Sequence, residues 1–539
     1  MNTASSSQTS ERSRTPFRSW RYRSRLWGRH PLGVHDRNPA RRLLSDDGMH
    51  TSFARRLVAL FTAFSLLFGG TLANARLYDL PNLGSSADAV MTPAEEHRLG
   101  KAFMRRIRAS GEVIDEPWIN DYIQSLGARL TAHGEATGKA FHFFVLDKPT
   151  INAFAGPGGY IGIHAGLISA ARSESELAAV VGHEIAHVTL HHLAQFYADA
   201  KRLSVPGAAL LIASILLGAV GGAQAGIAAA MGSQAALLQH QIDFTRANEK
   251  EADAIGMDIL AESGYDPSAM ATFFNRLGKA TRVYNTKLPK FLLTHPVSSE
   301  RIAESQGHAS RYPYRQTIED PRFHLVRAWL KVRGDEDPGA LVPALRKQLE
   351  EGSYRSKTAK QFELALALDK AGKPAEAARL LEGLHRKRPE LAAIAISLSR
   401  ILAKQGQLGN AARVLNTSLK QAPANRPLLT TLARLEIRRG RPKKAITVLK
   451  PLIAAEPDNA SLLALLALAQ GRAGDKVSAY RSLAESYFQA GKTEAAIQQL
   501  RILKREFKDL DYYVASRIEA RLDVFEQEQA AIKARKEDR

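Results

Sequence analysis

The sequence predicts a mainly α protein in two parts, an α+β domain with a small sheet followed by an all-α solenoid of helical hairpins. Three observations carry that reading: a His-Glu-x-x-His pattern at 183–187, a glycine-bounded strand-like stretch at 152–164, and a 34-residue period through the last third of the chain. The 539 residues are enough for several domains, at ~100–200 residues each. A composition of 45% hydrophobic and 24% charged residues excludes a wholly disordered chain and a polytopic membrane protein. Cysteine is absent, so disulfides, thiolate metal sites and cysteine nucleophiles are excluded, and any metal must be held by His, Asp or Glu.

The net charge of +21 is uneven: residues 1–75 hold twelve arginines, no lysine and four acids, leaving +13 for the rest. No basic recognition helix and no aromatic-interleaved basic patch stands out, so no nucleic-acid partner is expected. Arg55 and Arg56 precede an uncharged run, Leu57–Leu72, and then Ala73-Asn74-Ala75. These are the basic, apolar and small-residue parts of a cleavable secretory signal, with cleavage after Ala75 and export by the general route. The apolar run is short for a membrane anchor. Met49 would start a signal of ordinary length, so 49–75 reads as the signal and 1–48 as a disordered extension or a start placed too far upstream. The mature protein is expected outside the cytoplasm, as domains over 76–310 and 311–525 with a charged tail over 526–539.

Ser173 with Glu176 three residues later is a capping-box start for a helix that carries His183, Glu184 and His187. A spacing of four stacks the two imidazoles on one helix face, where they can hold one zinc ion, and Glu184 is placed to take a proton from water. Val180, Val181, Ile185, Ala186 and Val188 make this helix a buried one, and buried histidines and carboxylates need partners. A catalytic zinc site needs a third protein ligand. The metzincin pattern is excluded, because Leu190 and Leu193 stand where it needs Gly and His. Glu249 and Asp253 lie four apart on a second helical stretch. Glu249 would ligate, and Asp253 could accept the other ring proton of a histidine ligand; the alternative is a solvated charged face shared with Glu251.

With these residues in place, the sequence resembles the M48 family of zinc metallopeptidases, whose His-Glu-x-x-His is followed some sixty residues on by Glu-x-x-x-Asp. Here His187 and Glu249 are 62 positions apart. The resemblance covers about residues 90–310, including Asn152–Ile161 before the active-site helix. It implies a zincin-like metallopeptidase domain with one Zn2+ per subunit, zinc ligands His183, His187 and Glu249, the catalytic base Glu184, and the outer partner Asp253. The extended 159–164 segment is either an edge strand that pairs with substrate backbone or an ordinary core strand.

His191 and His192 read as structural residues or partners of ligands. His295, in Leu293-Thr294-His295-Pro296, sits in a loop before another helix. By resemblance to a repeat-bearing branch of the M48 family, His295 is a fourth zinc ligand or regulatory residue that keeps the enzyme latent. The other roles open to it are oxyanion stabilisation and a buried loop histidine. Residues 205–238 are rich in Ala, Leu, Ile and Gly and hold no Asp, Glu, Lys or Arg. They read as a lid or interfacial hairpin touching membrane or apolar substrate, with two buried helices or a membrane crossing as alternatives.

Gly372, Gly406, Gly440 and Gly474 recur every 34 residues, and Pro389, Pro423 and Pro457 keep the same period half a repeat out of phase. That is the tetratricopeptide signature. Gly491 follows Gly474 by only 17, so the phase slips there. Residues 323–351 read as a degenerate first repeat and the stretch after Phe525 as a capping helix. Such arrays present concave surfaces to peptides or partners, and the basic Arg434, Arg438, Arg439, Lys443 and Lys444 could favour acidic ligands. Signal, zinc site and array together resemble the periplasmic branch of the M48 family that acts in outer-membrane protein quality control. The resemblance implies degradation of unfolded or misassembled outer-membrane barrel precursors, docking of the repeats on the outer-membrane barrel assembly machinery, and a chaperone role. Two other classes remain: a tetratricopeptide adaptor or holdase with a latent or structural zinc site, and a general housekeeping peptidase.

Overall fold

The structure, a computed structural model, describes residues 92–537 apart from 134–135, 137–138, 197–234, 285–290, 293–294 and 314–315. The expected signal at 49–75, the residues before it and most of 205–238 lie outside the described residues. No described helix is long and apolar enough to cross a membrane.

Helix α1 (Pro93–Ala109) starts at a capping box: Thr92 Oγ1 accepts from the Glu95 N–H, and the Glu95 carboxylate takes the Thr92 N–H at 3.0 Å. Two donors that a helix start leaves open are thereby satisfied. After α2 (Pro117–Leu130) come β1 (His142–Leu146), β2 (Ala153–Ala155) and β3 (Tyr160–His164). The sheet order is β1-β3-β2, with β3 parallel to β1 and antiparallel to β2. The edge-strand alternative for 159–164 is therefore overturned, since β3 is central and paired on both sides. Its residues explain why: Ile161 and Ile163 are fully buried, and Gly162 lets the Phe154 ring lie on the strand, so neither face suits water.

Helices α3 (Ala165–Ala170), α4 (Glu174–Thr189), α5 (Ala235–Glu262), α6 (Ser268–Tyr284) and α7 (Ser299–Ala309) complete the first part. At the start of α4 the capping box is half made. Ser173 Oγ accepts from the Glu176 N–H at 3.2 Å, but the Glu176 carboxylate turns to the Arg172 N–H at 2.6 Å and to Arg276. The body of α4 is buried from Glu174 to Ala186, as its apolar neighbours predict. Helices α4 and α5 cross in close contact at two glycines. A Cβ on Gly182 would lie 3.1 Å from the Gly256 carbonyl oxygen, and one on Gly256 would lie 3.0 Å from the His183 backbone.

The array then pairs α8 (Pro321–Gly334) with α9 (Pro338–Glu350), α10 (Lys357–Lys370) with α11 (Pro374–Lys387), and α12 (Ala392–Lys404) with α13 (Leu408–Gln421). It continues with α14 (Arg426–Arg438) and α15 (Pro442–Ala455), α16 (Ala460–Arg472) and α17 (Lys476–Gln489), then α18 (Thr493–Glu506) and α19 (Tyr512–Glu537). The periodic glycines end the first helix of their hairpins at φ between 72° and 89°, a conformation that side chains with a Cβ resist. The periodic prolines follow the second helices of theirs, where the chain must leave the helix. At Gly491, φ 73°, the same turn recurs directly after α17. That helix therefore closes one hairpin and opens the next. Helix α19 runs unbroken through Phe525.

The two parts share one core. A single buried apolar cluster runs from Ile114 to Leu435, and Trp118 of α2 meets Trp329 of α8 and Phe362 of α10 edge-on at 6.4 and 6.2 Å. Around this, Arg400 of α12 grips Glu116 with bonds of 2.6 and 2.9 Å, and Arg108 donates to the Asp458 and Gln489 carbonyls at 3.0 and 3.2 Å. Three of the five basic residues singled out in the third full repeat serve the array itself: Arg439 and Lys444 approach the fully buried Glu436 carboxylate at 2.8 and 3.6 Å, and Arg438 donates to the Ala403 carbonyl. A buried carboxylate without such partners would be costly.

Candidate metal centre

Helix α4 supplies His183 and His187, helix α5 supplies Glu249 and Asp253, and the loop before α7 supplies His295. Glu249, Asp253 and Gly256 share one face of α5 at helical spacing, so the glycine contact at Gly182 presses the two acids against the histidines.

His183, His187, Glu249 and His295 each aim one ligand atom into a common space, all within 4.8 Å of one another. The Nε2 atoms of His183 and His187 are 3.0 Å apart, and the Glu249 oxygens lie 3.4 Å from each. His295 enters through Nδ1, at 2.8 Å from Glu249 and 3.3 Å from His183 Nε2. The edge of a tetrahedron around zinc with bonds of ~2.0–2.1 Å is about 3.3 Å. Donors of this kind at these separations fit that ion, and imidazole with carboxylate is a donor set zinc accepts.

Charge in the cluster is set by burial and by close partners. Burial opposes a proton on His183, but hydrogen bonds to Asp253 and Glu249 outweigh it and raise its pKa to about 10. His187 is desolvated beside that cation and falls to about 3. Burial acts against ionised Glu249 as well, yet His295, His183 and His187 hold it well below the usual carboxylate range. Glu184 goes the other way: burial pushes it up, against the pull of His295 and His183. Its carboxylate faces His295 Nε2 at 3.4 Å and accepts a backbone hydrogen bond from Ala155 on β2.

The surroundings fix these side chains. Asp253 meets His183 Nδ1 at 2.9 Å, leaving Nε2 for the centre. Arg301, on the first turn of α7, donates to both Asp253 oxygens at 2.7 and 2.8 Å, approaches Glu249 at 2.9 Å, and donates to the Pro296 carbonyl at 2.6 Å. His192 places Nδ1 2.8 Å from His187 Nδ1. His191, by contrast, leaves the helix at φ 55°, and its Nε2 lies 3.4 Å from Lys139 Nζ, away from the ligand face. Phe291 stacks on His295 with ring centroids 4.9 Å apart and walls the centre.

Every predicted site residue thus lies in one cluster. Sequence reasoning missed Arg301 and the Gly182–Gly256 contact. The signal for the first was weak, an arginine just inside a serine-capped helix start after His295, which reads as an ordinary surface residue.

The cluster lies within the span of a family match. Residues 117–309 match the family model Peptidase family M48, and residues 362–426 and 402–469 match two Tetratricopeptide repeat models. The chain is 36% identical over 310 residues to the Beta-barrel assembly-enhancing protease of Escherichia coli K12, covering 58% of this chain and 63% of that one. A Vibrio cholerae relative is 43% identical over 255 residues, covering 47% of this chain and 52% of its own. The Mitochondrial metalloendopeptidase OMA1 of Arabidopsis thaliana is 28% identical over 222 residues, 41% of this chain and 42% of that one. The matches to the two bacterial proteins thus span between half and two thirds of their length.

Proposed function

We propose, from an M48 peptidase domain followed by tetratricopeptide repeats on one chain, that the protein is a periplasmic zinc metalloendopeptidase of outer-membrane protein quality control. It would cut unfolded or misassembled barrel precursors and assist assembly as a chaperone, with its repeats docking on the barrel assembly machinery. The observation that carries the reading is the convergence of His183, His187 and Glu249 beside Glu184.

His183, His187 and Glu249 would hold the ion, with Asp253 and His192 orienting the two imidazoles. Zinc, when bound there, supplies Lewis-acid polarisation of the scissile carbonyl and of water. Glu184 takes the water proton on its carboxylate and passes it to the departing amine, a role that its raised pKa favours. Ala155 binds Glu184 from β2, whose outer side has no strand partner among the described residues. This edge, rather than β3, is where an extended substrate would add its backbone. His295 would offer a further donor through Nδ1 and so keep the site latent.

That fourth donor also favours a second reading, an adaptor with a closed structural site. Glu184 separates the two, because a structural site has no use for a buried base. Wild type and Glu184→Gln would be compared on an unfolded outer-membrane barrel and on an unfolded protein of another class. The proposal expects the barrel to be cut faster and Glu184→Gln to cut neither. Equal rates on both substrates favour the housekeeping peptidase, and no cutting by wild type or by His295→Ala favours the adaptor.

A further inference from the structure

The slipped repeat frames a cleft. Because α17 serves two hairpins, helices α16, α17, α18 and α19 enclose a cleft of about 330 Å³. The apolar residues Leu462, Leu465 and Ala469 of α16 join one buried cluster, whereas α17, α18 and α19 form another, and residues from both sides of this division line the cleft.

Three arginines line it. Arg521 is committed: it pairs with Glu485 through bonds of 2.5 and 2.8 Å and lies over the Phe488 and Phe525 rings. Arg481, half-buried, and Arg517, exposed, have no acidic partner among the described residues. Beside them are the Ser478 and Ser482 hydroxyls, with Leu500 and Ile518 as an apolar wall. Gln470 also lines the cleft, and its buried Oε1 finds no hydrogen-bond donor among the described residues.

We propose that this cleft docks an acidic peptide segment of a partner protein, with a carboxylate on Arg481 and Arg517 and a backbone N–H on Gln470. The guanidinium pair suits a carboxylate or a phosphate equally. The Gln470 amide, which can pair with a peptide N–H, and the apolar wall of Leu500 and Ile518 favour a peptide carboxylate. The apolar wall adds a seat for a hydrophobic neighbour of the acidic residue. The site is separate from the metal centre, so binding succeeds or fails independently of the peptidase reading.

The test uses the full mature chain carrying Glu184→Gln, so that nothing is cut, and follows fluorescence anisotropy of a labelled peptide alternating Glu and Leu. The Lys and Leu counterpart is the control probe. Arg481→Glu with Arg517→Glu is expected to weaken binding of the acidic peptide by at least about tenfold, and the basic peptide to bind that much more weakly than the acidic one. Arg379→Glu, at an exposed arginine elsewhere on the array, leaves binding unchanged. Should the double Glu variant misfold by circular dichroism, Arg481→Gln with Arg517→Gln must weaken binding in the same direction. Unchanged affinity in the Gln pair, or equal binding of both peptides, overturns the proposal. So does full displacement of the acidic peptide by millimolar phosphate, which would make the cleft an anion site.

Discussion

Arg301 holds Asp253 with two parallel hydrogen bonds of 2.7 and 2.8 Å, the second to the same Oδ1 that lies 2.9 Å from His183 Nδ1. The same guanidinium also touches Glu249 and the Pro296 carbonyl. One buried cation thus ties together Glu249, Asp253 and the loop of His295.

Arg301→Lys keeps the charge and loses the fork. Zinc affinity, measured by competition with a chelator, is expected to fall by ~10–100-fold, the usual effect of removing a partner of a metal ligand. Affinity equal to wild type would mean that Arg301 serves packing alone.

Gly256→Ala places a Cβ 3.0 Å from the backbone of His183. The two helices must part, and a melting curve should show a loss of about 1–3 kcal/mol together with weakened zinc binding. A variant of unchanged stability and zinc content would contradict the close-approach account.

His295→Ala opens the fourth position. Zinc should stay bound through His183, His187 and Glu249, and hydrolysis of an unfolded barrel should equal or exceed that of wild type. A rate that drops while zinc is retained would assign His295 to oxyanion stabilisation instead.

Trp118→Ala removes a side chain that is 3% exposed and joins α2 to α8 and α10. The expected cost is about 3–5 kcal/mol, and calorimetry of the wild type should show the peptidase part and the first repeats unfolding together. Two separated wild-type transitions would show that the shared core does not couple them.

What was legible in the sequence was local. His183, Glu184 and His187, like Glu249 and Asp253, declare themselves by helical spacing, and the 34-residue period by glycines and prolines that the turns require. Arg301 was not legible, because its partner lies 48 residues away in sequence and nothing in its own surroundings marks it as buried. Gly182 and Gly256 look like ordinary helix residues until two helices cross on them. The order of the strands was equally hidden, since the apolar pattern of 160–164 fits a central and an edge strand until its partners are known.

The most direct test of the account is the zinc content of the purified protein, as wild type and as His187→Ala and Glu184→Gln. The account predicts one zinc per chain in the wild type and in Glu184→Gln, and a large loss in His187→Ala. Wild type without zinc, or His187→Ala retaining a full equivalent, would contradict it.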